Sequence, residues 1–162
     1  MDDWSVRKPL TIVSYHYVRP IKCSKYVEIK GLEKTEFQGQ IEYIMRHYNV
    51  VSMEQIMASM RGEEELPDMA LHLAFDDGLS DHYLYVFPYL FDLRIPASFY
   101  PSVSPTMQRQ MLDVHKIHFI LACETNKMSI VEILNVHIEN AREHFDLESI
   151  DGITIESEDF TR

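Results

Sequence analysis

Residues 70–75 form an apolar run, interrupted only by His72, that ends directly at Asp76, Asp77 and Gly78. A strand that is apolar on both faces is typical of a parallel sheet covered by helices on both sides. The run therefore predicts a central strand of an α/β fold, and this limits the possible folds more than any other feature. Because active sites of α/β folds are usually built where parallel strands end, the two carboxylates mark a candidate site.

Strand and helix patterns alternate through the first two-thirds of the chain. Stretches rich in β-branched and aromatic residues predict strands at 10–16 and 95–100, with a shorter one at 49–51. Helical spacing of apolar residues predicts helices over 33–48, from Ser52 to 60, and over 81–93, where Pro88 would bend or split the helix. Residues 18–31 are predicted to be a loop. The last third shows helical patterns over 108–123 and 129–145.

The composition is that of an ordinary globular protein, with 162 residues, 46% hydrophobic and 25% charged side chains. The net charge of −11 argues against nucleic acid and anionic membrane surfaces as partners, since both are polyanions. Cys23 and Cys123 form no CxxC pair, which suits a reducing compartment, although one disulfide stays an alternative. No run is long and apolar enough to predict a transmembrane helix.

Asp76 and Asp77 allow two interpretations. Asp-Gly is a common turn dipeptide, so the run can be simply a strand that ends in a turn. However, two adjacent carboxylates at a buried strand end repel each other when both are ionised. A bound divalent cation removes that conflict by taking one carboxylate as a ligand, and the other can then act as a base on water. The residues alone leave both interpretations open.

Three blocks in order resemble the polysaccharide deacetylase family, the NodB-homology carbohydrate esterases. Residues 73–78 are similar to the first motif of that family, usually Thr-Phe-Asp-Asp-Gly, with Ala74 in place of the threonine. Upstream, Tyr15-His16 resembles a Tyr-His pair found at a strand end in many members, and 95–100 resembles the strand that follows the first motif. The resemblance covers about 10–101.

The resemblance implies a fold, a metal and a reaction. The fold would be α/β, a partial or distorted (β/α) barrel of the NodB-homology type with a helical C-terminal third. The cofactor would be a divalent metal of the Zn²⁺ type, and the reaction would be hydrolysis of an acetyl group on a sugar. By this resemblance Asp76 is the general base and Asp77 is a metal ligand. Polarisation of the acetyl carbonyl and activation of water are the chemistry that a metal supplies in such sites.

The second family motif, His-Ser/Thr-x-x-His, which supplies two metal ligands, is not found in this sequence. The nearest candidates are His115 and His118, which could share one face of a helix, although ordinary helix histidines are the more common explanation. His16 lies at a strand end like Asp76, so a substrate contact or a structural hydrogen bond would each explain it. Tyr15 could line a sugar site or pack in the core.

These observations predict a single deacetylase-like domain over 1–162 with a helical insertion over 106–150. The chain would be either the N-terminal portion of a deacetylase or a complete divergent protein, and truncation is favoured. The predicted function is removal of acetyl groups from a carbohydrate by a metal-dependent hydrolase. The alternative is a non-catalytic α/β module that acts through partner binding.

Partners and location follow from the same interpretation. The predicted partner is an acetylated carbohydrate. A truncated barrel would also self-associate through an unpaired strand edge. The N-terminus lacks a signal peptide pattern, so the expected location is the cytoplasm, with the inner face of the membrane as an alternative.

Overall fold

A computed structural model describes residues 8–145, which form an α/β arrangement of six strands and six α-helices. The strands are β1 (Leu10–Tyr15), β2 (Val18–Arg19), β3 (Leu32–Glu33), β4 (Asn49–Val50), β5 (Ala70–Asp76) and β6 (Ser98–Tyr100). The helices are α1 (Lys34–His47), α2 (Met53–Met60), α3 (Phe87–Leu93), α4 (Val103–Gln108), α5 (Asp113–Cys123) and α6 (Lys127–Phe145). A π-helical turn, His82–Val86, precedes α3.

The predicted strand β5 is the centre of a parallel sheet. It pairs with β1 along one edge, with Tyr15 opposite Phe75. On its other edge β5 pairs with β4 near its start and with β6 near its end, where Phe99 lies opposite Phe75. A closed barrel is not seen in the described part of the chain. The mixed α/β class with a parallel sheet is confirmed.

Alternate residues of β5 divide the sheet into two faces. Leu71, Leu73 and Phe75 are buried on one face against α1 and α3. Tyr15 stacks on Phe75 there with ring centroids 5.3 Å apart. The other face contains His72, Ala74 and Asp76, and its neighbours on β1 are exposed. The larger core cluster therefore lies on the side of Phe75, and a smaller cluster of Val51, Ile56, Leu66 and Ala70 covers the start of β5 on the other side, the side to which Asp76 belongs.

Several local predictions need correction. Residues 18–31 are not only a loop, because β2 and β3 pair there as a small parallel sheet. The helix predicted over 108–123 is interrupted: α4 ends at Gln108, Arg109 has a left-handed backbone with φ 51°, and α5 begins at Asp113. The helix predicted over 81–93, by contrast, is divided near Pro88 as expected: the π-helical turn His82–Val86 passes into α3, and Pro88 lies in the first turn of α3.

The described residues fall into two compact units that divide after Leu112, so α5 and α6 belong to the second. Within the first unit, aromatic side chains beside β6 stay exposed, among them Phe91 at 69%. They border a groove of about 750 Å³ that also includes Phe87 and Phe99. No helix in residues 8–145 has the length and apolar character needed to cross a membrane.

His72 is the polar exception in the apolar strand, and it links three strands. Its Nδ1 donates to the carbonyl of Val51, which follows β4, at 2.8 Å. Its Nε2 forms a hydrogen bond with the Ser98 hydroxyl on β6, at 2.9 Å. The buried imidazole thus has partners at both nitrogens, which resolves why a polar residue is tolerated there.

Replacing His72 with leucine should therefore lower the free energy of unfolding by about 1–3 kcal/mol, because Val51 O and Ser98 Oγ lose their partner. Urea unfolding measures the change. The matched control is His137→Leu on the exposed surface of α6, which should shift stability by less than about 0.5 kcal/mol. Equal effects of the two substitutions would contradict the structural role given to His72.

Candidate active site

The candidate site lies where β1 and β5 end side by side. Because the strands are parallel and Tyr15 pairs with Phe75, the next residues of each chain segment, His16 and Asp76, emerge at the same edge. Asp77 then adopts a left-handed backbone with φ 72°, a conformation that aspartate tolerates better than most side chains. Asp76 and Asp77 are both half-buried at this turn.

Gly78 completes this turn and cannot be replaced without movement. Its φ is +62°, and a Cβ added there would lie 2.7 Å from Cβ of Pro101 and 2.9 Å from its Cα. Any side chain at this position would displace the loop after β6. The glycine of the sequence motif is therefore explained by both backbone conformation and packing.

Two polar contacts organise the carboxylates. Nε2 of His16 lies 3.8 Å from Oδ2 of Asp77, with the histidine 55% and the aspartate 22% exposed. The Ser14 hydroxyl donates to Oδ2 of Asp76 at 2.6 Å. The structure thus brings together three of the residues singled out by sequence, His16, Asp76 and Asp77. It adds Ser14, for which the sequence offered no signal beyond its place on the predicted strand.

A largely buried ion pair, Arg19 with Asp81, joins the two chain segments that follow β1 and β5. The guanidinium of Arg19 donates through Nε and Nη2 to the two oxygens of Asp81, at 2.7 and 2.8 Å. Asp81 is 4% exposed for its side chain, so the pair is largely removed from water. The next residue, His82, donates from Nε2 to the carbonyl of His16 at 2.8 Å. These bonds join the segment after β1 to the helix that follows Gly78, and sequence reasoning did not detect Arg19 or Asp81.

Burial lowers the pKa of His82 below its ordinary value of 6.5, although its hydrogen bond to His16 O and the Asp81 carboxylate oppose that shift. The folded protein therefore favours the neutral ring, whose Nε2–H serves His16. As the pH falls below about 6.5, the unfolded chain takes up this proton before the folded chain does. The stability contributed by His82 is fully present above that pH and is lost as the pH falls toward the lower folded pKa.

This linkage predicts that the urea midpoint of the protein decreases between pH 7.5 and pH 5.5 by more than that of a His82→Phe variant. Phenylalanine keeps the ring packing against Phe75 and Phe99 but has no proton to gain. Unfolding curves at several pH values measure the difference. Parallel pH profiles for both proteins would show that His82 does not titrate differently in the folded state.

Tyr15 is buried in the core, and it also borders a groove at the end of β1. Its side chain is 8% exposed, its ring packs between Phe37 and Phe75, and its hydroxyl donates to Gln40 at 3.0 Å. The alternation of side chains along β1 sends Tyr15 to the opposite face from Ser14 and His16. The structure thus shows a packing role for Tyr15, and a substrate contact stays a prediction.

The described residues do not make a complete metal site. Asp77 and His16 are two donors at suitable separation, but a catalytic zinc ion commonly has three protein ligands. Within residues 8–145 no group of three or more His, Cys, Asp or Glu side chains is arranged to hold a metal ion. His115 and His118 lie one turn apart on α5, in the second unit, with ring centroids 6.3 Å apart. Their ligand role stays a prediction.

No protein-family model matches the chain. A search of curated proteins also finds no match. Among solved structures, a de-N-acetylase from Aggregatibacter actinomycetemcomitans is 29% identical with a TM-score of 0.50, over 57% of this chain and 37% of that protein. IcaB from Ammonifex degensii is 26% identical with a TM-score of 0.45, over 57% of this chain and 38% of IcaB.

The deacetylase PplD of Streptococcus pyogenes, solved in complex with acetate, is 19% identical with a TM-score of 0.49, over 64% of this chain and 46% of PplD. The chain thus spans less than half the length of each of these three proteins. The similarity to the de-N-acetylase from Aggregatibacter actinomycetemcomitans is found in both the amino-acid sequence and the fold. The N-terminal portion of the chain has a polysaccharide deacetylase-like fold.

Proposed function

We propose that this chain forms the N-terminal portion of a metal-dependent carbohydrate deacetylase. One observation supports this most strongly. Asp76 and Asp77 lie beside His16 at the carboxyl edge of a parallel sheet, in a chain of which 57% matches a de-N-acetylase at 29% identity. We propose that further strands would complete a (β/α) barrel. The region matched here is 37% of that deacetylase, which leaves most of its length to supply them.

In the proposed reaction Asp76 is the general base. Its carboxylate would accept a proton from the water that attacks the acetyl carbonyl carbon. The bond between that carbon and the sugar nitrogen or oxygen then breaks, and the leaving group takes up a proton. The products are acetate and the deacetylated sugar. A positioned carboxylate at the open edge of a sheet is suited to this role, since it can reach a substrate from solvent.

Asp77 is proposed as one ligand of the divalent metal, and His16 is the described donor nearest to it. When bound, a Zn²⁺-type ion supplies a Lewis acid for the acetyl oxygen. The remaining ligands would come from a further part of the barrel, or from His115 and His118 as the sequence suggested. What this chain itself contributes is a fixed carboxylate pair, set by the turn through Gly78.

The acetylated sugar would bind beside His16. A groove of about 470 Å³ runs along the end of β1 and is bordered by Ser14, His16, Tyr17 and Lys30. His16, which is exposed, is the proposed substrate-side residue.

The exposed aromatic groove beside β6 supports the proposal that strands are missing from the described sheet. Phe87, Phe91 and Phe99 would be covered by the next strand and helix of a complete barrel. Large exposed apolar surface also favours self-association. We therefore propose that the chain alone associates through this edge.

Metal binding tests the proposal directly. Calorimetric titration with Zn²⁺ should show one site in the wild-type chain, and Asp77→Ala should lose it because a carboxylate ligand is removed. The matched control is Asp92→Ala, an exposed aspartate on α3, which should bind as the wild type does. His115→Ala and His118→Ala report whether these histidines are ligands.

Acetate release from N-acetylated oligosaccharides, with and without Zn²⁺, tests the reaction. A wild-type chain that neither binds metal nor releases acetate would contradict the deacetylase proposal. That result would favour the alternative, a non-catalytic α/β module that acts through partner binding.

A further inference from the structure

We propose that Ser14 is a positioning residue for Asp76: its hydroxyl holds one carboxylate oxygen so that the other is presented to the attacking water. This inference rests on the proposed deacetylase function, because it assigns a role in the same reaction. Ser14 directly precedes the Tyr15-His16 pair of the upstream block, to which the resemblance gives no role for a serine, and it is brought to Asp76 only by folding, since the two residues are 62 positions apart.

The contact itself is short and directional. Ser14 Oγ lies 2.6 Å from Asp76 Oδ2, a separation typical of a hydroxyl that donates to an ionised carboxylate. Within residues 8–145 it is the one hydrogen bond of the Asp76 side chain. Oδ2 is therefore engaged and Oδ1 is left for another partner. If Asp76 is the general base, Oδ1 is then the oxygen that accepts the proton from water, because Oδ2 is held by Ser14.

The backbone on both sides of this contact is fixed by packing. Ser14 lies opposite Ala74 in the parallel register of β1 and β5, so its side chain is on the same face as Asp76 and one step diagonally away. The next residue on each strand, Tyr15 and Phe75, is buried on the opposite face, where the two rings stack. The serine thus projects from a strand that cannot rotate without pulling Tyr15 out of the core.

The chemical consequence is orientation. A carboxylate on a strand end can rotate about two side-chain bonds, and each unproductive rotamer reduces the fraction of molecules in which the base can act. A hydrogen bond that holds Oδ2 removes most of that freedom before the substrate binds. Loss of the hydroxyl should therefore lower kcat and leave KM nearly unchanged, because Ser14 does not need to contact the sugar to act through Asp76.

The contact is tested first without any activity. Urea unfolding of Ser14→Ala, Asp76→Ala and the double variant forms a mutant cycle, in which each single substitution removes the hydrogen bond. The expected coupling is about fivefold in the unfolding equilibrium constant, as for a partly exposed hydrogen bond. Thr11→Ala, which removes a hydroxyl from the same strand, should show no coupling to Asp76→Ala. Absence of coupling between Ser14 and Asp76 overturns the proposal.

The role is tested second by acetate release with the metal-loaded chain. Ser14→Ala should lower kcat about tenfold with KM within about twofold, and Ser14→Thr should restore most of the rate because the hydroxyl returns. In the Asp76→Asn background Ser14→Ala should have no further effect. Full activity of Ser14→Ala overturns the positioning role. An inactive wild-type chain overturns the proposed function and the role with it, while the coupling still reports on the contact, so the two failures are distinguishable.

Discussion

Replacement of Asp76 by asparagine should lower kcat for acetate release by about 10²- to 10⁴-fold, the range that a positioned general base contributes. The substitution keeps the shape of the side chain and leaves an amide oxygen that can still accept from Ser14. What it removes is the negative charge and the ability to take a proton. KM should change little, since Asp76 acts on the attacking water. Steady-state kinetics on an N-acetylated oligosaccharide measures both constants.

The control for this prediction is Asp92→Asn, which removes the same charge from an exposed position on α3. Its kcat should equal that of the wild type within about twofold, because surface substitutions away from the site rarely matter. Zn²⁺ binding by Asp76→Asn should persist, since Asp77 is the proposed ligand. If Asp76→Asn retained more than one-tenth of the wild-type kcat, the base assignment would be wrong.

The second large effect concerns stability. Arg19→Met should lower the free energy of unfolding by about 3–5 kcal/mol, because it leaves the buried Asp81 carboxylate without its guanidinium partner. Asp81 is 4% exposed, so water cannot replace the two lost hydrogen bonds. The segment after β1 would also lose its link to the helix that follows Gly78. Urea or thermal unfolding measures the loss.

A matched comparison separates this pair from an ordinary surface pair. Arg46 and Glu42 form an exposed ion pair one turn apart on α1, with 3.6 Å between Nη2 and Oε2. Arg46→Met should change stability by no more than about 0.5 kcal/mol. The double variant Arg19→Met with Asp81→Leu should recover part of the loss, since no buried charge is then left alone. Similar losses for Arg19→Met and Arg46→Met would show that Asp81 remains solvated.

The fold was predictable where local pattern and long-range packing agree. The apolar run 70–75 predicted a central parallel strand, and β5 is that strand. A helix was predicted to begin at Ser52, and in the structure Ser52 is the residue that caps α2, with reciprocal capping bonds to Gln55. By contrast, the two-residue strands β2 and β3 were missed, because pairing across twelve intervening residues leaves no periodic signal in so short a stretch.

The site was predictable only in part. Asp76, Asp77 and Gly78 stand together in the sequence, so their motif could be read directly. Ser14 and Arg19 could not be assigned, because a serine on a strand or an arginine in a loop has many ordinary explanations. For Tyr15 the sequence left a sugar-site role and a core role both open, since its place next to His16 does not reveal which side of the sheet its side chain faces.

The sequence by itself determined the α/β class, the central strand and the carboxylate pair, because these depend on contiguous residues whose pattern is local. Only the tertiary structure decided that Ser14 holds Asp76, that His16 faces Asp77 and that Arg19 neutralises Asp81. These contacts join residues about 60 positions apart. They exist because β1 pairs in register with β5, and that register is set by burial of Tyr15 against Phe75.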